Sequence, residues 1–423
     1  MGFASGWLKA RALFPDLIKE IPDDRTGIIV VVPASGELLI DKMLDSLSLC
    51  EPPGCKTEVL IIINAKPGAD VSFLRDNRIC ADKILAWKKA HRDCFFQVYF
   101  YDTGQPEIKG WGVGLARKTG MDEALLRFDK INRPQGIIAC LDADCTTEKN
   151  YFVSLCNAFQ PKNKSACSVY FEHPLTGPDY PDKIYGNITI YELYLRYYLQ
   201  ALHNTLFPYA FHTIGSCVAV KAEAYMKAGG MNRRQAGEDF YFIQKLVSLG
   251  GYFSLNTTTV FPSPRESMRV PFGTGVTIKR LMTDEKGSLA TYNIKAFRAL
   301  RDLFGSVDAL FGCKPSEVQD YYKTLSPGLR SFIAEEELTA KISEINANVA
   351  GQESFMKRFF IWFNMFRIVK FLNHVHPAFH EKQDIRIAAR EMLMSAGIYP
   401  SSDSPQDLLA VFRTLEKNSE WLS

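Results

Sequence analysis

Short apolar runs alternate with longer helical stretches through the first half of the chain, and this alternation limits the fold more than any other feature. The runs span Gly27–Pro33, Glu58–Asn64, Phe95–Tyr101 and a stretch that begins near residue 137. Uninterrupted apolar runs of this length predict strands that are buried on both faces of a parallel sheet. Strands that alternate with helices predict right-handed βαβ connections. We therefore expect an α/β fold with a mostly parallel sheet flanked by helices.

The fourth run leads directly into two carboxylates, Asp142 and Asp144, which are separated by one alanine. Open α/β sheets bind their ligands just outside the carboxyl ends of the strands. In a strand, residues i and i+2 face the same side, so we expect both carboxylates to reach one ligand. Two hard oxygen donors favour Mg²⁺ or Mn²⁺ chelated by a diphosphate. The alternative is a polar strand end whose aspartates cap the next helix.

Composition narrows the class of protein. A length of 423 residues allows two or three domains, and a hydrophobic fraction of 47% is ordinary for a globular chain. The net charge of +3 argues against an extended nucleic-acid-binding surface. The ten cysteines are scattered without a Cys-x-x-Cys motif, which indicates reduced residues of a cytosolic protein.

Helical patterns precede and follow the predicted sheet. Residues 1–26 predict an amphipathic helical lead-in that packs against the sheet domain, and residues 276–423 predict a helical domain. Within the latter, Phe355–Leu372 is apolar nearly all round, which favours a buried helix over one lying on a membrane surface. The N-terminus has no signal-type apolar segment, and no run approaches the ~18 apolar residues of a spanning helix. We expect a soluble cytoplasmic chain, with peripheral contact at the inner face of a membrane left open.

Two later segments contain charged residues. In the first they lie at the start of a predicted helix, and in the second they lie in a predicted loop. Glu238 and Asp239 follow a glycine and open a predicted helix that continues to Leu249. Arg265 and Arg269 lie in a segment bounded by proline and glycine, which predicts a mobile loop that closes over phosphate groups. Helix capping for the acidic pair and solvated charges for the arginines are the alternatives.

The order of these pieces resembles nucleotide-sugar glycosyltransferases of the GT-A fold, closest to glycosyltransferase family 2, from Gly27 to about Gly275. This resemblance implies a Rossmann-like GT-A domain over residues 27–275, and the C-terminal third matches nothing in the family. The residues that carry the resemblance are Pro33-Ala34-Ser35-Gly36-Glu37, Gly112-Val-Gly-Leu-Ala116-Arg117, Asp142-Ala-Asp144, Ile214-Gly215-Ser216 and Glu238-Asp239.

The resemblance implies a binding site for a nucleotide-diphosphate-sugar donor. Asp144 would ligate a Mn²⁺ or Mg²⁺ ion that bridges the donor phosphates, and Asp142 would contact the ribose or share the ion. Arg117 would face the nucleotide and pair with a phosphate or a carboxylate, with a surface salt bridge as the alternative. Arg265 and Arg269 would close over the phosphates.

The nucleotide base and ribose would be held by the turn after the first strand, through Pro33, Ala34 and Glu37. Family members usually carry an aspartate at the end of the second strand to recognise the base, and Asn64 occupies that position here. This departure leaves the identity of the nucleotide open.

The resemblance also implies an inverting transfer in which Asp239 is the general base and Glu238 orients the acceptor or is itself the base. The Gln-x-x-Arg-Trp signature of processive synthases is absent from the sequence, which favours transfer of a single hexosyl unit. The acceptor hydroxyl could belong to a lipid-linked saccharide, a precursor of a cell-envelope polysaccharide or a small molecule.

Three rival functions remain at this stage. Asp142-Ala-Asp144-Cys-Thr146 also resembles the nucleophile motif of haloacid-dehalogenase-like phosphatases, although that motif normally lies on the first strand of its domain. A sugar nucleotidyltransferase would share the sheet but needs a basic, glycine-rich first turn. A catalytically inactive sugar-binding protein with a transferase fold is the third.

Overall fold

The computed structural model describes residues 2–14, 16–108, 111–232, 237–266, 273–283 and 287–422. The chain forms two compact units. The first comprises Met1–Tyr180 and Phe211–Lys279, and the second comprises Pro181–Ala210 and Arg280–Ser423. The domain limits predicted from the sequence, at residues 1–26, 27–275 and 276–423, stay predictions.

The first unit is built on one mixed sheet of eight strands among its described residues, in the order β3-β2-β1-β4-β7-β6-β8-β5. The strands are β1 (Thr26–Ala34), β2 (Lys56–Ile63), β3 (Phe96–Asp102), β4 (Ile137–Cys140), β5 (Thr146–Thr147), β6 (Ala166–Phe171), β7 (Val218–Lys221) and β8 (Tyr252–Phe261). The first four strands pair in parallel, whereas β7 runs antiparallel to both β4 and β6. The expected α/β class with a mostly parallel sheet is confirmed.

Strand β1 lies at the centre of the parallel half, between β2 and β4. Its residues from Ile28 to Ala34 are fully buried, which explains why a β-branched run with no polar alternation forms it. Pro33 pairs with Ile62 of β2 but lies beyond Val31, where the pairing with β4 ends. Proline, which has no backbone N–H, is tolerated at this position because β4 accepts no hydrogen bond there.

Helices cover the sheet of the first unit. They are α1 (Ser5–Arg11), α2 (Ile40–Ser48), α3 (Val71–Ala90), α4 (Val113–Lys130), α5 (Tyr151–Ala158), α7 (Ala222–Lys227) and α8 (Glu238–Leu249), and α9 (Thr274–Thr283) crosses from the first unit into the second. Helix α4 packs closely on β1, because a Cβ at Gly120 would lie 2.4 Å from a methyl carbon of Val31. This close approach brings the N-terminal turns of α4 near the carboxyl end of β1.

Buried charges on α4 hold the N-terminal segment in place. Glu123 accepts hydrogen bonds from the backbone N–H groups of Leu17 and Ile18, and Asp129 accepts one from that of Ala4. Buried carboxylates need such partners, and here backbone donors supply them. The segment that precedes β1 therefore packs on the first unit through polar as well as apolar contacts.

The second unit is helical apart from one short two-stranded pairing. Its elements are α6 (Asp182–Asn204), β9 (Ala290–Thr291), α10 (Ile294–Ser306), α11 (Pro315–Thr324), α12 (Pro327–Phe332), α13 (Glu335–Ala347), α14 (Gln352–Trp362), α15 (Met365–Val375), β10 (Gln383–Asp384), α16 (Ile385–Ser395) and α17 (Pro405–Lys417). Glu192 of α6 bridges two arginines, with Arg196 Nε and Arg413 Nε each 2.8 Å from its Oε1. Arg196 also pairs with Glu416 at 2.7 Å, which ties α6 to α17.

The apolar stretch Phe355–Leu372 forms parts of two helices and not one. Helix α14 ends at Trp362, and Asn364 caps α15 by accepting a hydrogen bond from the backbone N–H of Arg367. An asparagine side chain that satisfies a free N–H group favours a helix start over a helix interior. Among the described helices, none has both the length and the apolar content that crossing a bilayer requires.

Candidate active site

Asp142 and Asp144 lie in a turn just beyond the carboxyl end of β4. The strand ends at Cys140, and the backbone N–H of Cys145 then donates to the carbonyl oxygen of Asp142 at 3.0 Å. The alternation expected from a continued strand was therefore wrong, because the chain turns at this point. Instead, each carboxylate points to its own arginine.

Arg117 joins the first of these carboxylates to the acidic pair that opens α8. Its Nη2 lies 2.8 Å from Oδ1 of Asp142, and its Nη1 lies 2.7 Å from Oε1 of Glu238. The side chain of Arg117 is 4% exposed and that of Glu238 is 6% exposed. Paired and hydrogen-bonded charges of opposite sign are the form in which such groups are tolerated inside a protein. Arg117 thus links α4, the turn after β4 and the start of α8.

Gly215 provides the space that the Arg117 guanidinium occupies. It lies in the 3₁₀ turn Gly215–Cys217 that precedes β7, and a Cβ at this position would lie 2.7 Å from Nη1 of Arg117. Gly215 belongs to Ile214-Gly215-Ser216, one of the segments that carry the family resemblance. The close approach of Arg117 gives the physical reason for the glycine.

We expect Gly215→Ala to destabilise the protein by about 1–3 kcal/mol, the usual effect of adding a methyl group to a packed site. The guanidinium would have to move away from Asp142 or Glu238. The measurement is the free energy of unfolding in denaturant. Gly186→Ala in α6 is the matched control, since its Cβ would meet nothing within 4 Å and should leave stability unchanged or slightly higher. Equal stability of the two variants would contradict the prediction.

The acidic pair lies in the first turn of α8, which begins at Glu238 after Gly237, a residue with φ of +69°. The pKa of Asp239 is raised to about 6, mainly by burial and next by the negative charge of Glu238, while Arg117 opposes the shift. The backbone N–H of Phe240 donates to Oδ1 of Asp239 at 2.7 Å. A carboxylate with a pKa near 6 can accept a proton at neutral pH and release it again.

A second cluster of charges involves Arg265, Glu37 and Asp144. Arg265 Nη2 lies 2.7 Å from Oε1 of Glu37, and its Nε lies 2.6 Å from Oδ2 of Asp144. The backbone N–H of Arg265 also donates to the hydroxyl of Ser263, which is 2.8 Å from the hydroxyl of Tyr180. Arg265 therefore connects the segment after β8 with the turn after β1 and the turn after β4. Arg269 lies outside the described residues.

Two asparagines support the turn after β1. Asn64 is buried, and its Nδ2 donates to the carbonyl oxygen of Ala34 at 2.8 Å. Asn77 of α3 donates to the carbonyl oxygen of Asn64 at 3.0 Å and accepts from the backbone N–H of Gly36 at 2.7 Å. Sequence reasoning missed Asn77. The sequence feature that could have identified Asn77 is its position: it is a polar residue at helical spacing between Phe73 and Cys80, on the buried side of α3.

The charge balance of the two clusters indicates what they can bind. Among the described residues, the clusters contain five carboxylates and two cations. The carboxylates are Glu37, Asp142, Asp144, Glu238 and Asp239, and the cations are Arg117 and Arg265. When all are ionised, negative charges exceed positive ones by three. An anionic ligand such as a diphosphate would be repelled from such a site unless a cation accompanied it.

Asp142 and Asp144 fit a divalent cation that is bound together with a phosphate ligand. The described part of the chain contains no group of three or more His, Cys, Asp or Glu side chains placed to hold a metal ion. Magnesium-type ions are commonly bound by one or two carboxylates together with substrate phosphates and water. Asp144, with 24% of its side chain exposed, and Asp142, with 37%, can supply those one or two carboxylates.

Comparison with known proteins identifies structural likeness only. No protein-family model and no curated protein sequence matches the chain. The chain is similar to Staphylococcus aureus TarS residues 1–349 in complex with UDP-GlcNAc, with a TM-score of 0.41 and 9% identity over 79% of this chain and 91% of that one. It is also similar to the mannosyltransferase PcManGT from Pyrobaculum calidifontis in complex with GDP-Man and Mn²⁺, with a TM-score of 0.37 and 15% identity over 88% and 89%. Likeness of this strength carries no argument about activity.

Proposed function

We propose that this chain is a glycosyltransferase that moves a single hexosyl unit from a nucleotide-diphosphate-sugar to an acceptor hydroxyl, with inversion and with a divalent cation. The observation that carries the proposal is the arrangement around Arg117. One buried guanidinium contacts both Asp142 of the predicted donor motif and Glu238, the neighbour of the predicted base. The segments that contain Asp142 and Glu238 are about a hundred residues apart in the sequence. They were predicted to bind the donor and to provide the base, and both contact the side chain of Arg117.

The donor side of the site would be formed by the turns after β1 and β4. Asp144 and Asp142 would hold Mn²⁺ or Mg²⁺ together with the donor phosphates, and the ion would neutralise the diphosphate leaving group. The turn that contains Pro33, Ala34 and Glu37 would contact the base and ribose. The contacts of Asn64 within the chain support a role in holding this turn, in addition to the base contact implied by its position.

Arg265 would change partners when the donor binds. Its guanidinium is held by two carboxylates, Glu37 and Asp144. A guanidinium binds phosphate oxygens as readily as carboxylate oxygens, so a donor phosphate can replace Asp144 as its partner. Arg269 is proposed to assist on the basis of the sequence alone.

Asp239 would take the proton of the acceptor hydroxyl. Its pKa of about 6 keeps it mostly ionised at neutral pH while leaving it basic enough to accept a proton in the transition state. Glu238 is held by its ion pair with Arg117, and its negative charge contributes to the raised pKa of Asp239. Glu238 would thereby orient and tune the base, and it remains the alternative base.

The ten free cysteines support a reducing, cytosolic location for this reaction. Peripheral contact with the inner face of a membrane, and an acceptor drawn from lipid-linked or envelope saccharides, stay open parts of the proposal.

The proposal is tested by donor binding and turnover with a panel of nucleotide-sugars and Mn²⁺. A nucleotide-sugar at about 100 times its Kd should stabilise the protein by about 2.7 kcal/mol, which raises the melting temperature by several degrees. Asp144→Ala should remove the Mn²⁺-dependent part of this rise. Asp93→Ala, which alters an exposed carboxylate between α3 and β3, is the control and should keep it.

Two outcomes would contradict the proposal. Phosphate release from phosphomonoesters without any sugar transfer would favour the phosphatase. Donor binding without turnover over the whole donor and acceptor panel would favour the inactive sugar-binding protein.

A further inference from the structure

Two cysteines at the edge of the first unit lie close enough to form a bond. Cys55 immediately precedes β2, and Cys156 lies in α5, 101 residues later. Their sulfur atoms are 3.7 Å apart, and both side chains are half-buried. A disulfide has an S–S length of about 2.05 Å, so the two sulfurs need to approach by only about 1.7 Å in total. Neither residue takes part in the proposed active site.

The surroundings of Cys55 favour its thiolate. The pKa of Cys55 is lowered to about 7, mainly by the hydrogen bond with Cys156 and also by the backbone N–H of Gly27 and the charge of Arg133, against the effect of burial. Gly27 can approach because it lacks a side chain, since a Cβ there would lie 2.7 Å from the Cys55 sulfur. All ten cysteines lie in the described part of the chain, and the pKa of each of the other nine is raised. Cys55 is therefore the thiol most ready to react near neutral pH.

We propose that Cys55 and Cys156 are a peroxide-reactive pair that forms a reversible disulfide between the start of β2 and α5. The pair is independent of the glycosyltransferase proposal. In the first step the Cys55 thiolate attacks one oxygen of hydrogen peroxide, an S–O bond forms and the O–O bond breaks. Cys55 becomes a sulfenic acid, and the departing hydroxide takes up the proton that the Cys55 thiol lost on ionising, which gives the first water. In the second step the Cys156 sulfur attacks the Cys55 sulfur, the S–S bond forms, and the S–O bond breaks. The proton of Cys156 goes to the departing oxygen, so two thiols and one peroxide give one disulfide and two waters.

Gly27 and the guanidinium of Arg133 lie beside the Cys55 sulfur, and this difference in surroundings gives the two cysteines different roles. Cys55 is the attacking thiol because backbone and charged groups stabilise its anion, whereas the pKa of Cys156 is raised by the hydrogen bond to Cys55 and by burial. Cys156 is the resolving thiol. A disulfide between them closes a loop of about 100 residues that contains β2, β3, β4 and the turn with Asp142 and Asp144. Closing so long a loop restricts the unfolded chain strongly, so the oxidised protein should melt several degrees higher.

The test treats the full-length folded chain with hydrogen peroxide, blocks remaining thiols by alkylation, and maps linked peptides by mass spectrometry. We expect a Cys55–Cys156 peptide that dithiothreitol cleaves, together with a reversible rise in melting temperature. The rate of Cys55 oxidation should rise about tenfold per pH unit below pH 7 and level off above it. Cys156→Ser should replace the disulfide with a sulfenic acid that dimedone traps on Cys55, and Cys55→Ser should abolish both products.

Cys94→Ser is the matched control, because Cys94 is also half-buried but its pKa is raised by burial. This variant should form the disulfide at the wild-type rate. Oxidation of Cys94 or Cys313 before Cys55, or the absence of a Cys55–Cys156 peptide when other thiols are already oxidised, would overturn the proposal. Loss of transferase activity would not bear on it, since the readout is the linked peptide and the melting temperature.

Discussion

Asp239→Asn should abolish most of the sugar transfer while keeping donor binding and raising stability. Removal of a general base typically reduces the rate by a factor of about 10²–10⁴. The asparagine has the same shape, and Asp239 makes no contact assigned to the donor, so the Mn²⁺-dependent rise in melting temperature should persist. The measurements are initial rates of transfer, donor-induced thermal shift and the free energy of unfolding.

The stability part of this prediction follows from the sign of the pKa shift. The folded-state pKa of Asp239 is about 6, above its ordinary value of 3.8, so its ionised form is disfavoured in the folded chain. The destabilising effect is absent below about pH 3.8, grows as the pH rises to about 6, and is complete above it. Because asparagine cannot ionise, Asp239→Asn should raise the free energy of unfolding at pH 8 by up to about 3 kcal/mol. At pH 4 the two proteins should be nearly equal.

The wild-type pH profile provides an independent check. A base must be ionised to accept a proton, so kcat/KM should fall about tenfold per pH unit below pH 6 and level off above it. Burial is the largest cause of this raised pKa; the charges of Glu238 and Asp142 add to it, and Arg117 lowers it. Asp93→Asn serves as the control and should change neither rate nor profile. Wild-type transfer by Asp239→Asn would remove Asp239 as the base and leave Glu238 as the candidate.

The sheet was predictable because its strands are buried on both faces. β1 and β2 consist of β-branched runs with no polar interruption, and the observed strands begin and end within two residues of the predicted ones. The antiparallel placement of β7 between β4 and β6 could not be predicted, because its apolar residues fit a parallel and an antiparallel neighbour equally well. The break at Asn364 could not be predicted from apolar content either, since it depends on a single capping side chain.

The candidate site was predictable as a set of residues but not as a set of contacts. Motif order identified Arg117, Asp142, Asp144, Glu238 and Asp239, and the structure brings them into two adjoining clusters. Which carboxylate pairs with which arginine depends on the turn after β4 and on the packing of α4. Neither the turn after β4 nor the packing of α4 produces a periodic pattern of residues from which it could be predicted. The role of Gly215 was similarly hidden, since a glycine next to a strand has many uses other than making room for a guanidinium.

The second large effect is expected for Arg117→Met, which should lower the free energy of unfolding by about 3–5 kcal/mol at neutral pH. The substitution keeps most of the side-chain volume but leaves Glu238 buried without its positive partner. Asp142 is more exposed, and water can replace the lost contact there. Denaturant unfolding at pH 7 measures the effect. Lys227→Met is the matched control, since Lys227 pairs with Glu223 at a similar distance on the exposed side of α7 and should change stability by less than about 0.5 kcal/mol.

A double variant separates loss of the ion pair from loss of packing. Arg117→Met combined with Glu238→Gln removes the unpaired charge, so it should recover about 1–3 kcal/mol relative to Arg117→Met alone. If the deficit of the single variant came only from packing, the double variant would be no more stable. Arg117→Met should also move the acid limb of kcat/KM above pH 6, because the positive charge that lowers the pKa of Asp239 is gone. A stable Arg117→Met protein with an unchanged pH profile would show that Arg117 neither holds Glu238 nor tunes Asp239, and the link between the two acidic segments would then lose its physical basis.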